Sequence, residues 1–393
     1  MKIQFLKNKK IIFIAAGTIL ILLAVLFTVN AVSKRTLKIA FYQIPDGTKE
    51  AMIKNIKPLE SKPKFYTIDG SKPLSKKAFK KYSIIFTYNS KSLTEKSSLI
   101  KSVPEDTASF LPSKIAASTK IENENYALPV LLDHFELAVY KTYRTQLNLK
   151  IPQTLKQLTS YLIAVNENAS YPLLVIGADD NELWGFVSTF AESMFSSEQY
   201  EVLCKSLYEA QKTNQDIPYN LKLTLNEIKK LMHLGLMHPQ WTQLTQKDAE
   251  YLLKDHRVGT LASTLSMHRK LPNVLTKYYE ATIFPKDDTS SKFGVVCPQV
   301  CAVLTKNNLK TADGAAAVLH KLVSDDMQKN LSADTMLAPA ASVGESVDSI
   351  ADDIRFFAAA APAGPLMTFS SASFTDPAQV HRYAEIIRAY LEQ

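Results

Sequence analysis

The sequence predicts an α/β fold, and three observations predict it. Short runs rich in β-branched and aromatic residues alternate with segments of helical period. Turn residues or a proline separate most of them. The chain has 393 residues, enough for two or three domains with cores of their own.

TLKIAFYQIPDGTKEAMIKNI opens the order with an alternating strand (Leu37, Ile39, Phe41), a turn at Pro45-Asp46-Gly47 and a helix from Thr48. KFYTI and YSIIFTY supply two more strands around a short lysine-rich helix. In IPQTLKQLTSYLIAV, Leu155, Leu158, Leu162 and Val165 fall on one helical face. PLLVIG (Pro172 to Gly177) reads as a buried strand opening into ADDNELWG. In TLNEIKKLMHLG, Thr224 and Glu227 have capping-box spacing, and Gly235 is a stop. HRVGTLAS and EATIFP are strand-like, GAAAVLHKLVSDDMQ is an amphipathic helix, and Asp376-Pro377 is an N-cap and first turn for the final helix.

The N-terminus departs from this globular pattern. MKIQFLKNKK is basic, and Ile11 to Val29 carries no charge. Such a run spans roughly 28 Å as a helix, close to the ~30 Å of a hydrocarbon core. Residues 1–33 therefore read as a basic region with an uncleaved membrane anchor, although Ala31-Val32-Ser33 also resembles a signal cleavage site. Either way the rest of the chain is exported, and the leading lysines favour a cytoplasmic N-terminus. The expected location is the cell (inner) membrane by a single span, with the bulk of the protein in the periplasm or extracytoplasmic space.

Charge is uneven: residues 34–120 carry 18 Lys+Arg against 7 Asp+Glu, while the whole chain is +8. The lysines are dispersed, and the aromatic and glycine signatures of RNA-binding sheets are missing, so the reading is a solvated surface facing a membrane and no nucleic-acid partner. In FGVVCPQVCAVL, Cys297 and Cys301 would lie roughly 13 Å apart on an extended strand, beyond the ~7 Å limit of a disulfide, so buried free thiols are expected.

Chemistry-bearing motifs are sparse. HExxH, GxSxG and a phosphate loop are absent, so neither an enzyme nor a cofactor is expected. His233 and His238 cannot share a helix face across Gly235, which argues against a metal site. NYALPVLLDHFELAVY packs Asp133, His134 and Glu136 into four positions. On a strand Asp133 and His134 point to opposite faces, so the three cannot converge on one ion without a bulge.

Several passages, in order, resemble the extracellular solute-binding proteins of ABC importers, in their maltose-binding-like branch. Tyr126-Ala127-Leu128-Pro129 with Tyr140, followed by Ile151-Pro152-Gln153-Thr154-Leu155-Lys156-Gln157-Leu158, is similar to that family's "LP, about ten residues, YN, then PPxTWxEL" passage. Leu253 to Gly259 resembles its FxxGKAAM stretch without the usual Phe and first Gly, and Ile283-Phe284-Pro285 its return strand. Ala315 to Gln328 with Leu337-Ala338-Pro339 is similar to its late helix and exit.

The resemblance implies a two-lobed periplasmic-binding-protein type II fold with hinge crossings, lobe one at 36–128 plus 286–336 and lobe two at 130–283 plus 338–393. It implies a cleft lined by Tyr42, Gln43, Tyr88, Asn89, Asp133, His134, Asp179, Asp180, Trp184, Ser266 and His268, with either Asp133 or His134 touching the ligand. Trp184 beside two aspartates is the best candidate for stacking a sugar, against a reading as a packing residue, which Trp241 also carries. Related sugar binders place a Trp where this chain has Ser266-Met267-His268. The implied function is capture of a polar small molecule, a sugar or oligosaccharide, by a monomeric receptor that delivers it to ABC permease subunits. The rival is a ligand-free binding-protein fold used as a membrane-tethered scaffold.

Overall fold

Strand β1 (Lys38–Tyr42) is buried from Ile39 onward because it is paired on both sides, with β2 (Lys64–Ile68) and with β3 (Ile84–Tyr88), both in parallel. These are the three strands that the first apolar runs predict, and the lysine-rich helix Lys76–Lys81 lies between the second and third. The computed structural model describes residues 36–59, 62–213, 215–286, 294–306, 312–341 and 358–393. The apolar run at 11–29 lies outside them. Among the described residues no helix is long and apolar enough to cross a membrane.

In chain order there follow β4 (Ile100–Lys101), the hairpin β5 (Lys120–Ile121) and β6 (Glu124–Asn125), β7 (Leu128–Leu132), β8 (Phe135–Tyr140), β9 (Tyr171–Val175), β10 (Val258–Thr264), β11 (Tyr279–Ile283), β12 (Val295–Val296), β13 (Gln299–Thr305), β14 (Ala338–Pro339) and β15 (Pro365–Leu366). They form a seven-stranded sheet ordered β14-β7-β13-β3-β1-β2, with β4 beside β13, and a four-stranded sheet ordered β11-β8-β10-β9. In the larger sheet β13 runs antiparallel to β3 and β7, and in the smaller one β8 runs antiparallel to β10 and β11. Two apolar clusters cover the larger sheet, and a third surrounds the smaller one.

The chain crosses between the sheets at Asp133-His134, where β7 ends and β8 begins. It crosses again between β11 and β13, and a third time between β14 and the C-terminal helix Pro377–Glu392. That helix packs on helices Asp180–Met194 and Tyr219–His233 beside the smaller sheet. As the sequence predicts, Asp376 caps it, accepting from the Ala378 N–H, and proline stands in the first turn.

Two local expectations are corrected. The Pro45-Asp46-Gly47 turn is itself the start of helix Asp46–Ile56, with Pro45 at the N-cap. Thr224 is no cap: helix Tyr219–His233 begins five residues earlier after Pro218, and Thr224 is buried inside it. Its hydroxyl donates to the Asn220 carbonyl, the ordinary fate of an interior threonine. The stop at Gly235 is observed, with φ at 69°. Cys204, Cys297 and Cys301 are buried free thiols, and burial pushes Cys204 up to about 12.

Candidate functional site

A cavity of about 370 Å³ lies between the two sheets and takes its walls from both. From the larger-sheet side come Tyr42, Gln43, Thr87, Tyr88, Ser90 and Ser92, which sit at or just beyond the C-terminal ends of β1 and β3. Open parallel strands leave such a crevice at their C-terminal ends. From the smaller-sheet side come Asp179 to Glu182, Thr264 to Lys270 in part, and the hydroxyl-rich segment Thr368 to Pro377 in part. Asp133, at the crossing, lies on the floor between them.

Several helices begin at this cavity, and their caps place polar groups in it. Asp179 caps helix Asp180–Met194 by accepting from the Asn181 and Glu182 N–H groups. Thr264 caps helix Leu265–Lys270 through the Met267 N–H. The Ser266 N–H of that same first turn donates to Asp133 Oδ1 at 2.8 Å. Asp376 caps helix Pro377–Glu392. Each carboxylate complements exposed N–H groups at the positive end of a helix.

The loop between β9 and helix Asp180–Met194 is pinned from behind. Gly177 approaches the Trp241 backbone so closely that a Cβ there would meet its carbonyl oxygen at 2.6 Å. The buried Arg388 donates to the carbonyls of Gly177 and Ala178, and its Nη2 reaches Asp180 Oδ1 at 2.8 Å. His381 meets the other Asp180 oxygen at 2.8 Å. Asp180 therefore reaches the rim already paired, whereas Asp179 faces the cavity as a cap.

Of the residues the sequence nominates, Tyr42, Gln43, Tyr88, Asp133, Asp179, Asp180 and Ser266 line the cavity. Four do not. Asn89 is buried, accepting from the Tyr126 hydroxyl and donating to the Ser118 carbonyl. His134 turns away from Asp133, as alternation along an extended segment requires, and its Nε2 sits 3.0 Å from Glu136. His268 contacts the other Glu136 oxygen. Burial works to raise the Glu136 carboxyl, but His268 and His134 outweigh it and hold it well below the usual range. Trp184 has no exposed surface; its Nε1 donates to the Val380 carbonyl and its ring lies 5.5 Å from that of Phe374. The sugar-stacking expectation is thus corrected to core packing, and Trp241 is likewise fully buried.

Thr264 lies within the stretch Ser263 to His268 that the resemblance also implied for the cleft, and it lines the cavity; Lys270, Phe374, Asp376 and above all Glu182 line it without having been nominated for it from the sequence. Glu182 is buried and accepts from the Thr264 N–H at 2.9 Å and from the Thr264 hydroxyl. Burial, reinforced by the charges of Asp179 and Asp133, pushes its pKa up to about 8 against the lowering effect of Thr264.

No family model matches this chain, and no curated protein matches it. Solved structures do. A putative binding protein, MsmE, of Bacillus subtilis in an open conformation superposes with a TM-score of 0.69 at 10% identity, over 90% of this chain and 92% of that one. Apo RafE of Streptococcus pneumoniae gives 0.66 at 11%, over 91% and 98%. A probable secreted solute-binding lipoprotein of Streptomyces coelicolor gives 0.64 at 12%, over 91% and 98%. The chain has the two-lobed solute-binding-protein fold.

Within the solute-binding fold, Glu182 makes the cavity sensitive to pH. Its folded pKa of about 8 lies above the ordinary 4.5. The folded state therefore holds a proton that the unfolded chain loses, and stability declines as pH rises from about 4.5 to about 8 and levels off above. The effect is of order a few kcal/mol. Glutamine at this position keeps a hydrogen-bonding amide without the titration. The melting temperature of Glu182→Gln should rise relative to wild type progressively between pH 5 and pH 8, and a difference constant across that range would refute a raised Glu182.

Proposed function

We propose that the chain is an extracytoplasmic receptor that captures a polar, sugar-like molecule in this cavity by hinge closure and hands it to the permease subunits of an ABC importer. The observation that carries the reading is a cavity walled by both sheets with Asp133 at the crossing between them. A ligand gripped from two sides favours the closed arrangement by its differential affinity, and closure gives a membrane partner a shape to read. Hydroxyls and carboxylates dominate the lining, the groups that pair with a polyol. Among the similar folds, RafE is described in complex with raffinose, and a Thermotoga maritima MalE3 is described as maltose-bound.

In this reading Tyr42, Gln43, Tyr88, Asp133, Asp179, Asp180 and Ser266 contact the ligand. The sequence-based bounds, 36–128 plus 286–336 against 130–283 plus 338–393, are adjusted to the crossings: the larger-sheet body, which keeps β7 through Leu132 and β14 at Ala338–Pro339, moves against the smaller-sheet body. No bond is made or broken. The charge-free run Ile11 to Val29 anchors a monomer in the membrane, so the cavity works on the outer side.

Thermal melting of the full-length chain in nanodiscs against a panel of mono- and oligosaccharides tests the proposal. A ligand at a hundred times its Kd adds about 2.7 kcal/mol and raises the midpoint. A flat response to every sugar would defeat the reading.

A further inference from the structure

The buried carboxylates among the described residues fall into two groups. Asp133, Glu136, Glu182 and Glu192 are each at most 3% exposed. Glu136 stands between His134 and His268, and Glu192 is paired with Lys286, which also donates to the Gly294 carbonyl. Those two lie away from the cavity, and each has close partners: the Lys286 ammonium at Glu192 and an imidazole on each oxygen of Glu136. Asp133 and Glu182 line the cavity, and neither forms an ion pair. Asp133 accepts through Oδ1 from the Ser266 N–H, and the Ser266 side chain adds a second hydrogen bond to its carboxylate.

A buried carboxylate without a close partner is costly, and the fold supplies such partners at both sites away from the cavity. At the cavity Glu182, with its raised pKa, keeps its proton, and Asp133 feels the charge of Lys270 without an ion pair to it among the described residues, so a close counter-charge for Asp133 is left to the occupant. The rest of the wall points the same way. Asp179 and Asp376 are exposed to the same space, while Lys270 is the single lysine or arginine among the described lining residues. The Tyr88 hydroxyl is held protonated by burial and by the charges of Asp133, Glu182 and Asp179 together, so these acids share one field. Thr87, Ser90, Ser92, Ser370 and Ser371 supply neutral partners for hydroxyl groups around that negative centre.

We propose that the cavity selects a hydroxyl-rich ligand carrying a protonated amine, an aminosugar or its oligomer, over the uncharged sugar of the same shape, with Asp133 as the group that receives the ammonium. The proposal rests on the receptor reading above and names its ligand class. A charge-assisted hydrogen bond from ammonium to a buried carboxylate is roughly twice as strong as one from a neutral hydroxyl. N-acetylation removes the charge while leaving the ring, so the two forms make a matched pair.

The test is calorimetric titration of the full-length protein in nanodiscs with glucosamine oligomers and with N-acetylglucosamine oligomers of equal length. The free amines should bind about tenfold or more tightly, and the preference should shrink as salt is raised. Asp133→Asn, which keeps an oxygen for the Ser266 N–H, should bring the ratio of the two affinities towards one. Equal or tighter binding of the acetylated oligomer by wild type overturns the ligand class and leaves the receptor reading standing. Failure of these and of every neutral sugar in the panel overturns both.

Discussion

Alanine in place of Trp184 should cost about 3–5 kcal/mol of folding stability, the range for deleting a large aromatic side chain from a core. The indole has no exposed surface, packs against Phe374 and donates to the Val380 carbonyl. Phe374 and Val380 themselves form part of the cavity wall. In the receptor reading the residue acts on ligand only through the wall it supports, and its loss should lower the denaturation midpoint with or without ligand. Phenylalanine should restore most of the stability and retain ligand-induced stabilisation. A loss below about 1 kcal/mol for alanine would place the ring outside the core, since surface changes fall in that range.

The second large effect is expected at Arg388. Its guanidinium bonds the carbonyls of Gly177 and Ala178 and pairs with Asp180 and Glu385. Alanine there leaves carbonyl groups unpaired and Asp180 with His381 alone. Breaking a buried pair costs about 3–5 kcal/mol, and the partial exposure of Asp180 reduces that to about 2–4. Lysine should recover only part of the loss, because one ammonium cannot reproduce the planar fork that reaches two carbonyls and a carboxylate. Affinity should fall alongside stability, since the pinned loop carries Asp179. Denaturant titration combined with ligand titration checks both, and unchanged affinity in a destabilised Arg388→Ala would separate the loop from the site.

Much of the order of strands and helices was legible, because the main strands are short apolar runs and helices such as Leu155–Asn166 and Pro377–Glu392 repeat an apolar face; helix Ser197–Thr213 was not read from the sequence. Asp376 was legible as a cap, since aspartate before a helix signals one in the local sequence, and this cap opens on the cavity; Asp179, a cap of the same kind, was reached only through the family resemblance. Trp184 was not legible. Helix Asp180–Met194 is buried continuously from Glu182 to Ser193, so periodicity assigns no exposed face on which to place the ring. Glu182 was hidden by its neighbours, since an acid in a first turn ordinarily serves the helix dipole in solvent. Its burial depends on Thr264, 82 residues away in the chain. The early start of helix Tyr219–His233 had a readable signal in Pro218, which the stronger pattern at Thr224 and Glu227 masked.

Asp133 and His134 show what a single alternation can decide. The period-two rule separated them onto opposite sides, and the structure gives the cavity to Asp133 and the buried pairing with Glu136 to His134. The third member of that pairing, His268, arrives from the far end of β10, beyond the reach of local sequence pattern.

Closure of one sheet body on the other is the central claim, and distance across the cavity tests it most directly. The three native cysteines are buried, so fluorophores can be directed to Glu50→Cys and Lys247→Cys, exposed positions on the two bodies. Energy transfer between them, measured on the full-length protein while the best ligand of the sugar panel is titrated, should change saturably with the same midpoint as calorimetric binding. An unchanged transfer efficiency at ligand concentrations where calorimetry shows the site filled would contradict the account.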